Sequence, residues 1–176
     1  MVKFKIPLLL QCITLLIPLN IYMWGDWILV SLQWAFFRYQ DTAAGSGIFT
    51  INRDISFILL GFSTGIHNIL AVIFWTAGSI LLLAGILLTL YGCIREEALR
   101  IRTASFFTLG AGILFGLSAL ERFTGGFAIP LGLPVLFIIA WITYRQQPEP
   151  GEDEPEGNDN GDGESGVLPE TISGTE

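Results

Sequence analysis

Seven side chains in this sequence, Asp26, Arg38, Arg53, Asp54, His67, Glu121 and Arg122, titrate or form ion pairs and lie outside its long apolar stretches. They are expected to gather as one outer polar cluster. Within it, His67, Asp54 and Glu121 are the groups an acid–base reaction would have to recruit, and such groups act only within hydrogen-bond reach. With Asp41 included, four carboxylates face three guanidinium groups, a net charge of −1. That near-balance favours ion pairs that tie loops to helix ends, although exposed pairs of this kind contribute little energy.

No other chemistry is signalled. His67 is the one histidine and has no Cys, Asp or Glu at ligand spacing, so no metal site is expected. Cys12 and Cys93 form no CxxC pair and read as structural thiols. There is no phosphate-binding glycine loop, no HExxH and no GxSxG. No catalytic residue, cofactor or nucleic-acid partner is therefore assigned.

What must position these residues is set by composition. Of 176 residues, 52% are apolar or aromatic and 14% are charged, and the mean hydropathy of +0.60 is that of a chain solvated by lipid. Four stretches, 6–23, 69–92, 103–120 and 127–144, hold no Asp, Glu, Lys or Arg, and each is long enough to cross a hydrocarbon core of about 30 Å. The expected fold class is an all-α membrane protein. A four-transmembrane-helix bundle over 1–145 would carry an outer cap at 24–68 and be followed by a disordered acidic tail at 146–176. Lys3 and Lys5 also precede the first stretch as in a secretory signal, but no small-residue cleavage site follows, and an uncleaved helix is expected.

Charge orients the chain. The tail holds ten acidic and no basic residues, which leaves the body at +3 out of a total of −7. Lys3, Lys5, Arg95, Arg100, Arg102 and Arg145 fall on one side of four spans, and Arg38, Arg53 and Arg122 on the other. The positive-inside rule then places both termini in the cytoplasm of a multi-pass cell-membrane protein. Tyr22, Trp24 and Trp27 mark the outer interface, and Tyr91, Trp141 and Tyr144 the inner one.

Two conformations compete for the cap. As an interfacial helix, 24–40 would carry Asp26, Gln33 and Gln40 on one stripe. As strands, its aromatic and β-branched content suits a small β-hairpin, with a turn over 41–47 and a second strand over 48–53, and this is the preferred reading. Asp54 or Ser56 would then cap a second helix that bends near Gly61 and Gly65.

Helix packing should use small residues, because lipid supplies little hydrophobic force between helices. Ala71, Gly78, Gly85 and Gly92 repeat every seven residues, as do Ala104, Ala111 and Ser118, with Gly112 and Gly116 as a second small pair. The second and third spans are thus expected to be antiparallel neighbours. Pro130 and Pro134 are expected to kink the outer half of the fourth.

Four spans, cytoplasmic termini, and a long first outer segment bearing Trp24 and Trp27 give a layout that resembles the claudin-like tetraspan proteins. The GLW and paired cysteines of the claudin first loop are absent, so the resemblance implies arrangement and no site residue. The function expected is that of a non-enzymatic accessory, assembly or scaffold subunit, with the lipid bilayer and a homo-oligomer or another membrane protein as partners. A small transporter or pore subunit is the alternative, and a membrane-embedded enzyme the third.

Overall fold

The computed structural model describes residues 5–25, 29–63, 65–95, 97–124 and 126–145. Lys3, Asp26, Trp27, Glu96 and the acidic tail lie outside the described residues. Among the described residues, five helices and five strands follow in the order α1 (Lys5–Thr14), β1 (Asn20–Trp24), β2 (Leu29–Gln33), β3 (Phe37–Thr42), β4 (Gly45–Thr50), α2 (Ile51–Leu59), α3 (Ile66–Arg95), α4 (Ala98–Phe123), β5 (Phe127–Ile129) and α5 (Gly132–Arg145). The strands form one antiparallel sheet in the order β4-β3-β2-β1-β5. The protein is therefore not all-α.

At about 1.5 Å per residue, α3 and α4 are about 45 and 39 Å long, and both are apolar enough to cross a membrane. The other two predicted spans are helical over only part of their length. Residues 6–23 begin as the ten-residue α1 and end in β1. Pro18 has no N–H with which to continue a helix, and the chain beyond it is held by sheet bonds, with Leu19 N–H donating to the Gln33 carbonyl at 2.7 Å. Residues 127–144 divide into β5 and α5. Pro130 precedes α5 and Pro134 sits in its first turn, where a missing N–H costs nothing, so neither proline kinks a span.

The cap is strand, and it differs from the predicted hairpin in extent. The turn expected over 41–47 is only Ala43-Ala44, with Thr42 paired to Gly45. The expected strand 48–53 ends at Thr50, and Ile51, Asn52 and Arg53 begin α2 instead. α2 stops at a Schellman turn: Gly61 at φ 74° lets Phe62 N–H reach the Phe57 carbonyl and Gly61 N–H the Ile58 carbonyl. The Phe57 and Phe62 rings close that turn edge to face.

In the bundle, α3 packs on α4, α4 on α5, and α1 on both α3 and α5. Along the α3–α4 seam, an added methyl at Gly78 would stand 3.3 Å from the Ala111 carbonyl, and one at Gly85 3.3 Å from that of Ala104. At Gly92 it would meet Ile101 at 2.9 Å, and the Ala71 carbonyl accepts the Ser118 hydroxyl. Gly112 and Gly116 instead face Phe137 and Leu133 of α5. The Gln11 amide ties three helices together, donating to Thr108 and accepting from Thr89.

The β2–β3 turn descends into this bundle. Ala35 is fully buried among Leu19, Trp75 and Phe115. The indole N–H of Trp75 donates to the Trp34 carbonyl at 3.0 Å, and the Ser79 hydroxyl to that of Ala35.

Where α5 begins, Gly132 N–H bonds the Leu19 carbonyl, and an added methyl would lie 2.7 Å from the Leu19 Cα. That atom belongs to the backbone and cannot step aside. Gly132→Ala should therefore cost about 1–3 kcal/mol as overpacking, read as a lowered Tm in detergent. Gly110→Ala, which meets only the flexible Leu81 side chain at 3.3 Å, should leave Tm nearly unchanged.

Candidate functional site

Side chains alternate along a strand, and residues opposite each other across strands share a face. Asn20 pairs with Gln33 and Tyr22 with Ser31, while Gln33 and Ser31 pair onward with Arg38 and Gln40. These six polar residues therefore share one face of the sheet, and Asn20, Tyr22, Ser31 and Gln33 are buried. On the opposite face, Ile129, Ile21, Leu32, Tyr39 and Ile48 line up in register across all five strands. The sheet is amphipathic with its polar side inward.

Beneath that polar side lies a cavity of about 340 Å3, walled by the sheet, by α2 and by the ends of α3 and α4. Arg38 enters from β3 and donates to buried Asp54 of α2 at 2.8 Å. Arg122, from the last turn of α4, lies over the Tyr22 ring at 4.7 Å. Two guanidinium groups thus face one carboxylate. Among the described residues, none of the ion pairs engages Arg122. Ser31 Oγ, Arg38 Nε, Arg122 Nε and Asp54 Oδ2 are buried without a hydrogen-bond partner in the protein. Burial raises the Tyr22 hydroxyl above the ordinary tyrosine range, against the pull of Arg122, Ser118 and Asn20.

The expected outer cluster is thus divided. Arg38, Asp54 and Arg122 meet in the cavity. His67 Nδ1 and Glu121 Oε2 pair at 2.8 Å in an exposed position, where they join the start of α3 to the end of α4. Arg53 stacks on Phe49 and Phe57, and Asp26 lies outside the described residues. Of the three acid–base groups, His67 and Glu121 are paired with each other, and Asp54 is paired with Arg38. Sequence reasoning missed Ser31, Tyr22 and Gln40 as cavity walls. The available signal was polar residues two apart, Asn20 with Tyr22, Ser31 with Gln33 and Arg38 with Gln40, which is the period of a strand.

Removing Asp54 would leave Arg38 and Arg122 facing each other with no counter-charge. Asp54→Ala should destabilise by about 3–5 kcal/mol, as breaking a buried pair does, whereas exposed Arg53→Ala should cost under about 1 kcal/mol; thermal melts compare the two. Tyr22 gives a pH test. Its folded pKa is raised, so its contribution to stability is whole below about pH 10 and is lost as pH rises toward the folded value. The alkaline fall in Tm should be smaller in Tyr22→Phe.

No family model, curated protein or solved structure matches this chain.

Proposed function

We propose that this chain is an integral membrane protein in which α1, α3, α4 and α5 share the bilayer, the sheet caps the outer side and both termini are cytoplasmic. The observation that carries this reading is what the long helices leave exposed. Ile73, Ile80 and Leu87 on α3, with Phe106, Ile113 and Leu120 on α4, are all at least half exposed. In a water-soluble protein such side chains would form the core; here they match a lipid solvent. Charge supports the orientation: at the end away from the sheet, Arg100 lies on Tyr91, Arg102 on Tyr144 and Arg145 on Trp141, an arginine and aromatic belt of the kind found at a cytoplasmic interface.

Within the membrane the protein serves as a non-enzymatic accessory or assembly subunit, and the apolar row Ile21, Leu32, Tyr39 and Ile48 supplies the surface for a partner membrane protein or a second copy. The glycine seams do not supply it, because they are used inside the chain. Phe115, Thr108 and Ile101 fill the α3–α4 seam, which speaks against a transport pathway along it.

In a cysteine-free background, a membrane-impermeant maleimide should label Ala44→Cys in intact cells and Arg145→Cys only after lysis. The reverse pattern would overturn the orientation. A photocrosslinker in place of Ile48 should give a discrete protein adduct; crosslinking to lipid alone would remove the accessory role and leave the membrane reading standing.

A further inference from the structure

The cavity under the sheet has a neighbour. α2 presents Asp54 and Phe57 to the polar cavity and, one step round its circumference, Ile55, Ile58 and Leu59 to a second depression of about 320 Å3 against α3. The two share Val72 as a common wall. The first holds Arg38, Arg122, Asp54 and Ser31; the second is almost wholly apolar, lined by Ile73, Ala77 and Ile80 of α3. A polar, cationic chamber beside an apolar groove is the shape of a site for an amphiphile.

We infer that this pair of depressions binds one anionic lipid, its phosphate against Arg122 and Arg38 and the start of an acyl chain in the α2–α3 groove. Charge sets the headgroup. Among the described residues, two guanidinium groups against one carboxylate leave a single positive charge for a phosphodiester, and charge-assisted bonds to guanidinium are the strong kind. The unpartnered Oδ2 of Asp54 accepts a hydrogen bond, and the Ser31 hydroxyl, buried and likewise without a partner, can donate one. The headgroup must therefore offer a donor beyond its phosphate, as a glycerol does and a choline does not. Pairing these groups with a ligand answers the desolvation cost of burying them.

The inference rests on the membrane reading above, since it places the cavity at headgroup level, and maleimide labelling reports on that reading separately. A chain labelled as expected that ignores lipid fails only here. The test uses the full chain in maltoside micelles, with Tm and native mass spectrometry as readouts. Phosphatidylglycerol should raise Tm saturably and remain bound in the gas phase, phosphatidylcholine should do so weakly, and inorganic phosphate should not match either. Arg122→Gln should weaken phosphatidylglycerol by about tenfold, the loss of one charge-assisted bond, and Arg122→Lys by less. Ile58→Trp, which fills the groove from the α2 side, should also weaken it, and together with Ser31→Ala it serves as the readout if Arg122→Gln does not fold. A Tm indifferent to phosphatidylglycerol, equal effects from inorganic phosphate, or unchanged binding across these variants would each overturn the inference.

Discussion

The fold depends on one constraint: a backbone carbonyl or amide removed from water must find a partner within the protein. Two of the four bundle helices are too short to satisfy this alone. α1 and α5 hand over to irregular and extended chain while still packed against α3 and α4, and each handover is covered by a protein donor or acceptor. Trp75 and Ser79 meet the carbonyls of the β2–β3 turn, Gln33 takes the Leu19 amide, and the Leu19 carbonyl takes that of Gly132. The sheet is therefore more than a lid on the bundle. Its lower end holds the chain just beyond α1, with the Trp34 indole donating to the Leu16 carbonyl and the Gln33 carbonyl accepting from Leu19.

Much of this could be read in the sequence wherever one residue type has one use. The seven-residue repeat of Ala71, Gly78, Gly85 and Gly92 marked a face, and in the structure that face meets α4 through Ala104, Ala111 and Ser118. Gly61 was expected to bend one long helix, and it ends α2 instead. Hydropathy failed where it is blind to conformation. Ile21, Tyr22 and Met23 are as apolar in a strand as in a helix, so the first stretch looked like one span. Pro18, in the last third of it, was the clue, since it breaks the hydrogen-bond ladder. The grouping of Arg38 with Asp54 and Arg122 was legible only as a set of outer charges. Its division from His67 and Glu121 depends on the inward face of β3, which sequence periodicity could indicate only once the register of β2 and β3 was known.

Cavity and bundle share their polar logic. In both, a side chain with several hydrogen-bonding atoms stands where elements converge: Gln11 between Thr89 and Thr108 at mid-bundle, and Asp54 of α2 paired to Arg38 of β3 beneath the sheet. Such junctions fix the rotation of one element against another, because sliding by one residue would strand a polar atom. The apolar seams permit close approach, and the polar junctions choose the register.

The placement of β5 sets an order of events. Strand β1 has β2 on one side and β5 on the other, and Ile21 pairs with Ile129, a residue made about a hundred positions later. During synthesis, β1 to β4 can assemble as soon as their segment has emerged, yet one edge of β1 stays bare until α3 and α4 have been made and the chain has returned. A bare strand edge invites unintended pairing. Closure of the sheet thus waits on the packing of α3 and α4, and an intermediate in which β5 has not yet docked would carry an open edge.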